Sequence, residues 1–253
     1  MLVSDVHFDS KFCDRELYKA HLELAKRENM MVWDGGDFFD VMQGRNDRRR
    51  RMTELRPEYL GDDMFDRVVY DAADFLSGYP IVMMAPGNHE LSVLREQSIS
   101  LTDRLAHELR HDHEVVTGGF RGHIRLQFVR PDGRLYNSVL VYYSHYSGRR
   151  GSLGIAGVNK QAAYQPDALV VWNGDNHNGW KMVLPRERVS TKGEIFTDVQ
   201  LHINTPGYKR DLVSDPNGFA ALHGMGPKPV GCAILEFVPF EGHIAVSSRE
   251  LFS

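Results

Sequence analysis

Cysteine is nearly missing from this chain: Cys13 and Cys232 are the only two among 253 residues. That scarcity argues against both a disulfide framework and a thiolate metal site. A charge excess is missing as well. Lys and Arg number 30 against 34 Asp and Glu, a formal net charge of −4. This argues against a strongly basic nucleic-acid binder and leaves room for a local basic patch. No apolar run approaches the roughly 20 residues of a membrane span, and no signal peptide is visible. Internal repeats and low-complexity segments are also lacking. What is present is ordinary globular composition, 42% hydrophobic and 25% charged. It is read as a single α/β domain over residues 1–253, expected in a reducing cytoplasm. Met1-Leu2-Val3-Ser4 before Asp5 leaves only about three residues for a first strand, where strands commonly run ~5–6. The natural chain is therefore expected to continue upstream of Met1, with its first strand truncated here.

Short apolar runs that end in polar clusters organise the first half. Asp14 is placed to cap a helix running to about Glu28, with Leu17, His21 and Leu24 on one face. Met30-Met31-Val32-Trp33 reads as a buried strand that stops at Asp34-Gly35-Gly36-Asp37. Residues 62–76 keep helical spacing through Phe65, Val68, Val69, Ala72, Phe75 and Leu76. Ile81-Val82-Met83-Met84-Ala85-Pro86 is the third strand and runs into Gly87-Asn88-His89-Glu90. This β-α-β-α-β pattern predicts a parallel sheet. Residues 91–111 read as one helix, and residues 121–130 and 134–143 as a hairpin around Pro131-Asp132-Gly133. Ala168-Leu169-Val170-Val171-Trp172 is another buried strand, followed by four more at residues 180–184, 196–203, 232–238 and 244–248, and Trp33 and Trp172 are expected in the core. Gly- and Pro-rich residues 215–229 read as a long surface loop.

The polar clusters at the strand ends are Asp5 and His7, Asp37, Asn88 and His89, His145, and Asp175 and His177. Core packing has no use for such groups, whereas the carboxyl ends of strands in α/β sheets are where ligands gather. Asp-x-His in extended backbone would put both side chains on one face. Carboxylate, imidazole and amide donors together suit manganese, iron, nickel or zinc better than calcium or magnesium alone. Two such ions about 3.5–4 Å apart can bind a phosphoryl group. Asp37, preceded by two glycines that permit close approach, fits a bridging position.

Asp5-x-His7, Gly36-Asp37, Gly87-Asn88-His89-Glu90, the later His145 and Gly174-x-x-His177 resemble, in order, the five signature blocks of the calcineurin-like metallophosphoesterases. Val6-His7-Phe8-Asp9, residues 37–44 and Thr205-Pro206-Gly207-Tyr208-Lys209 look similar to phage and prophage members, which would place the protein in the cytoplasm of a bacterial host. The resemblance implies a four-layer α/β/β/α sandwich of two mixed sheets. It implies two divalent ions, manganese first and iron, zinc or nickel as alternatives, and a phosphate-ester substrate, a nucleotide or nucleic acid among the options. Asp5, His7 and His177 would hold one ion, Asp37 would bridge, and Asn88 and His145 would hold the other. His89 would stand beside the scissile phosphate, with metal-bound hydroxide as nucleophile. Glu90 would orient a neighbouring His from behind the ligands.

One position departs from the family. Its last block is Gly-His-x-His, and here it reads Gly174-Asp175-Asn176-His177. Asp175 is expected as a ligand to the second ion; the alternative is a turn in which it bonds its own backbone. His111-Asp112-His113 imitates a metal motif but is read as solvated surface at a helix end. Arg48 and Arg49, within the run 48–51, and Tyr146 are candidate substrate contacts. The plainer reading of the arginine run is a solvated helix face. Three functions stay open: a phosphodiesterase, a DNA nuclease of the recombination type, and a binding or scaffold protein weakened by Asp175. Oligomeric state is not legible.

Overall fold

The computed structural model describes residues 1–41, 54–110, 114–145, 155–189, 192–210, 224, 226–240 and 243–253. In chain order the elements are β1 (Leu2–Val3), α1 (Arg15–Arg27), β2 (Val32–Asp34), α2 (Met64–Leu76), β3 (Ile81–Met84), α3 (Asn88–Gln97), α4 (Leu101–Leu109) and β4 (Val116–Thr117). Then come β5 (Arg121–Val129), β6 (Leu135–Ser144), α5 (Ile155–Tyr164), β7 (Val170–Asn173), β8 (Trp180–Val189), β9 (Ile195–Asn204), β10 (Gly231–Phe240) and β11 (His243–Phe252). A single 3₁₀ turn, Pro57–Tyr59, precedes α2.

The strands form two mixed sheets, one ordered β11-β10-β1-β2-β3-β4 and the other β5-β6-β7-β9-β8. In the first, β1 through β4 run parallel and β10 pairs antiparallel to β1. The expected parallel unit is there, with α1 and α2 as its crossovers. In the second sheet β6, β7 and β9 are parallel, while β5 and β8 close the two edges antiparallel. Pro185 falls within β8, an edge strand, where its missing N–H costs no ladder bond.

Three apolar layers hold these pieces together. Tyr18, Leu22 and Ala25 of α1, Val68, Val69, Ala72 and Leu76 of α2, and Leu101, Leu105 and Ala106 of α4 pack with Val3, Val32, Ile81 and Cys232 on one face of the first sheet. Leu2, Trp33, Met83 and Ala233 on its other face meet Val141, Tyr143, Val170, Trp172, Leu201 and Ile203 of the second sheet. Tyr142, Ala168 and Val171 lie on the far side of that sheet. There α5 docks by paired amides, Gln161 donating to Asn173 Oδ1 at 2.9 Å and Asn173 donating back at 3.2 Å. The order is thus helices, sheet, sheet, helix, with Trp33 and Trp172 in the core as expected. Each fully buried large apolar side chain contributes about 1.5–3 kcal/mol, so the middle layer fixes the two sheets against each other.

Several local expectations need correction. The buried stripe of α1 is Tyr18, Leu22 and Ala25, with Leu17 and Leu24 only partly covered. Asp14 does cap this helix, accepting from the Leu17 N–H at 3.0 Å. The stretch read as one helix from 91 to 111 is two. The first begins already at Asn88 and ends where Ser98 turns left-handed (φ 58°), and Ser100 caps the second. Strands β8 to β11 each run 10 residues, longer than their apolar cores suggested, and α5 was not foreseen at all.

Candidate metal centre

Five loops supply the site, each leaving the carboxyl end of a parallel strand. Asp5 and His7 follow β1, Asp37 follows β2, and Asn88 to Glu90 open α3 after β3. His145 ends β6, and Asp175 and His177 follow β7. The donors therefore come from both sheets and meet where the two packed sheets end.

The backbone that aims them is left-handed, not extended. Asp5, His7, Asp37, Asp175 and His177 have φ of 55°, 51°, 52°, 72° and 55°. Among the described residues only Asn29 and Ser98 are other non-glycine positions with positive φ. This conformation is costly for L-residues and persists where surroundings over-determine it, as at functional sites. Period-two alternation is therefore not what brings Asp5 beside His7, or Asp175 beside His177. The two glycines before Asp37 behave as expected. A side chain on Gly35 would strike the Trp172 ring at 2.6 Å. One on Gly36 (φ 108°) would lie 2.6 Å from the Gly87 nitrogen and 2.9 Å from His145 Nδ1.

Three imidazoles are each fixed from behind. His145 Nδ1 lies 3.0 Å from the Gly35 carbonyl, His89 Nδ1 lies 3.1 Å from the Asp40 carbonyl, and His7 Nδ1 lies 3.0 Å from Asp40 Oδ1. Those oxygens only accept, so in each ring Nδ1 carries a proton and Nε2 is the atom turned toward the cluster. The Nε2 atoms converge. His7 Nε2 is 3.3 Å from His177 Nε2, and His177 Nε2 is 3.1 Å from Asp5 Oδ1. His145 Nε2 is 3.1 Å from Asp37 Oδ2 and 3.9 Å from Asp5 Oδ1. Asp5 Oδ1 and His145 Nε2 are both buried without an aligned hydrogen-bond partner.

Charge follows this geometry. Burial pulls the His145 ring toward neutrality, yet Asp37 and Asp5 outweigh it and hold its pKa well above the ordinary histidine value. Burial would raise Asp37, but His145 and His89 keep its carboxyl below the usual range. Burial, with no comparable cation beside it, pushes Asp34 well up. Glu90 is pushed up to about 7, by burial first and Asp37 second. A cluster of imidazole nitrogens and carboxylates, with Asp5 Oδ1 and His145 Nε2 buried and unpartnered, is electrostatically suited to a cation. The donor set, mixed oxygen and nitrogen, fits a borderline divalent ion. Among the described residues, three groups have donor atoms within 4.8 Å of one another: Asp5, His7 and His177; Asp5, Asp37 and His145; and His7, Asp40 and His89.

Most sequence-chosen residues thus meet. Asn88 is half-buried at the first position of α3, directly before His89. Asp175 reaches the cluster through its backbone, its N–H donating to Asp5 Oδ2 at 3.1 Å, and its carboxylate belongs to none of the three groups. The turn-forming side chain in that loop is Asn176, which accepts from the Asn178 N–H at 2.9 Å. Glu90 does stand behind the ligands, but its partners are the backbone N–H groups of Gly87, Asp37 and Phe39 rather than a histidine. Arg48, Arg49, Tyr146 and His111 to His113 lie outside the described residues. Sequence reasoning missed Asp40, which serves both His7 and His89, and Lys209, whose ammonium donates to Asp40 Oδ2 at 3.0 Å and Glu54 Oε2 at 2.8 Å. It also missed Asp9, which accepts from the Asp40 N–H at 2.6 Å. Their signal was spacing, Asp37-x-x-Asp40, and the stretches ending in Asp9 and Lys209 that carried the phage resemblance.

No family model matches the chain, and no curated protein matches it. Among solved structures it is similar to the calcineurin-like phosphoesterase YfkN from Bacillus subtilis, at 10% identity and a TM-score of 0.41, over 99% of this chain and 88% of that one. It is similar to vacuolar protein sorting 29 from Cryptosporidium parvum at 13% identity and 0.39, over 100% and 96%. Wild-type Vps29 complexed with Zn²⁺ from Entamoeba histolytica matches at 10% and 0.28, over 73% and 88%. Likenesses of this size carry no residue roles to the present chain, and the phage resemblance has no counterpart in these three.

Proposed function

We propose that this chain is a divalent-metal-dependent phosphoesterase with a preference for phosphodiesters. One observation carries the reading: buried Asp5 Oδ1 and His145 Nε2 lack aligned partners and face the same small space as Nε2 of His7 and His177. Asp5, His7 and His177 would hold one ion, Asn88 and His145 a second, with Asp37 shared and Asp175 beside it. Manganese is the first choice, with iron, zinc or nickel as alternatives. When bound, such a pair supplies Lewis-acid polarisation of phosphoryl oxygens and makes water a stronger acid.

The chain's own groups do the rest. Asp37 accepts the His89 N–H at 2.9 Å, which ties its carboxylate to the start of α3. His89, with Nδ1 directed at the Asp40 carbonyl, would turn Nε2 toward a bound phosphate and stabilise or protonate a leaving oxygen. The diester preference rests on Lys209 being engaged by Asp40 and Glu54, so that its charge is spent away from a dianionic monoester. The same reading treats residues 1–253 as one domain, because both sheets contribute donors.

The test is hydrolysis of bis(p-nitrophenyl) phosphate by chelator-stripped protein with Mn²⁺ restored, beside Asp37→Asn. Activity should require the metal and fall in the variant by more than the ~10–100-fold of an outer-partner change. Silence with every divalent ion would overturn it. The position of the Asp175 carboxylate outside the donor groups favours one competing reading, a metal-poor binding protein. Calorimetric titration separates the two: two Mn²⁺ sites support the enzyme, one or none the binding protein. Salt-sensitive DNA binding lost on neutralising residues 48–51 would point instead to a nuclease.

A further inference from the structure

Lys209 stands apart from the donor groups, yet its surroundings tie it to them. Its side chain is 11% exposed, against Asp40 at 11% and Glu54 at 8%. An ammonium so covered, with two carboxylates at 3.0 and 2.8 Å, is a fixed charge and not a mobile surface one. Asp40 is the joint. Its Oδ2 takes Lys209, its Oδ1 takes His7 Nδ1 at 3.0 Å and lies 3.3 Å from His89 Nδ1, and its backbone carbonyl takes His89 Nδ1 at 3.1 Å. Its N–H is held by Asp9. The orientation of two imidazoles therefore passes through one residue, Asp40, whose far carboxylate oxygen is pinned by Lys209.

We propose that Lys209 is a positioning residue of the metal centre: by pinning Asp40 Oδ2 it orients Asp40 Oδ1 toward His7 and His89, keeping Nδ1 of both rings on Asp40 and Nε2 of both directed at the donor cluster. The inference rests on the metal-dependent reading above and names the residue that pre-organises it. Lys209 belongs to a different strand connection from any of the donors. It follows β9, and its segment is held independently by the Tyr208 N–H on the Asp5 carbonyl at 3.0 Å and the Arg210 N–H on the Phe12 carbonyl at 2.9 Å. The main chain around Lys209 is thus anchored without its ammonium, and a side-chain substitution there can be read as a loss of the Asp40 contact.

Glu54 supplies the discriminating control. Replacing Lys209 alone leaves Asp40 and Glu54 buried without their shared cation, which destabilises any protein. Replacing Lys209 and Glu54 together removes that imbalance but not the loss at Asp40. The experiment compares Lys209→Met, Glu54→Gln and the double variant by thermal unfolding of metal-free protein, calorimetric Mn²⁺ titration and steady-state hydrolysis of bis(p-nitrophenyl) phosphate. Glu54→Gln should bind Mn²⁺ like the wild type. The double variant should recover stability relative to Lys209→Met, yet bind Mn²⁺ ~10–100-fold more weakly than the wild type. At saturating metal it should lose kcat with little change in KM. Lys209→Arg, which keeps a cation on Asp40, should regain part of the affinity. Metal affinity that returns to the wild-type value together with stability in the double variant would overturn the proposal, leaving Lys209 a stabilising ion pair. If Lys209→Met does not fold, the double variant alone decides. Wild-type protein that neither binds Mn²⁺ nor hydrolyses the diester would instead sink the functional reading itself.

Discussion

The two flanks of the donor cluster are built on different principles. On the His7 flank the donors are mostly imidazoles, and orientation is supplied from outside. His7 leans on Asp40, and Asp40 on Lys209. On the His145 flank the donors are mostly carboxylates. There a single ring sits 3.1 Å from Asp37 and 3.9 Å from Asp5, with Asp175 close by. Burial raises the Asp175 carboxyl above its usual pKa, and nearby Asp5 and Asp37 act in the same direction. The first flank is set by geometry and the second by charge balance. An ion on the first side meets mostly imidazole nitrogens, whereas an ion on the second has to settle a group of like charges.

That contrast can be broken at its shared member. Asp37→Asn removes the carboxylate that His89 and His145 both address, so both flanks should fail, and calorimetry should register the loss of both Mn²⁺ sites. Retention of one tight site would show that the flanks are independent. Gly36→Ala should act on one side only. Its φ of 108° is strained for alanine, and the added carbon would lie 2.9 Å from His145 Nδ1. A cost of ~1–3 kcal/mol by urea unfolding is expected, with the weaker Mn²⁺ site lost and the tighter one kept. Equal weakening of both sites would mean that the flanks are mechanically one. Asp175→His replaces a carboxylate by a neutral donor where negative charge already accumulates. It should tighten the weaker site by ~10-fold and raise turnover, and an unchanged titration would show that position 175 is not a ligand position.

How much of this was legible beforehand follows the same division. The strand ends were readable because an apolar run stopping at Gly-Asn-His-Glu has no other use for those polar groups, and the βαβαβ order followed from alternating periodicities. The two-sheet arrangement came from motif resemblance, since nothing in β7 or β9 alone says which sheet they join. The orienting layer stayed hidden for a physical reason. Asp40 and Lys209 are 169 positions apart, and no local pattern tells a buried carboxylate from a solvated one. The left-handed turns at Asp5 and His177 were likewise illegible, because the residue type permits that backbone without announcing it. Helix α5 has a weak apolar stripe and docks through Gln161 and Asn173, a polar contact that hydrophobic periodicity does not register.

The smallest effect expected is at Asp14, and it marks where the site ends and the scaffold begins. Asp14 caps α1 through the Leu17 N–H at 3.0 Å and also accepts from Arg210 Nε at 2.7 Å. Partial burial opposes its ionisation, but the Leu17 N–H and Arg210 prevail, so its pKa is lowered in the folded protein. A lowered carboxyl pKa contributes stability above the unfolded value, and that contribution is lost as pH falls through the folded value. Asp14→Ala should therefore cost about 1 kcal/mol near neutral pH, and less in acid. Arg210 adjoins Lys209, so the substitution comes within one residue of the orienting network. Yet the main-chain bonds from Asp14 N–H to the Tyr208 carbonyl at 2.8 Å and from Arg210 N–H to the Phe12 carbonyl persist without the carboxylate. Mn²⁺ affinity should then be unchanged while urea unfolding at pH 7 registers the loss. A fall in metal affinity in Asp14→Ala would mean that the segment carrying Lys209 is held by its side chains, and that the His7 flank extends as far as the cap of the first helix.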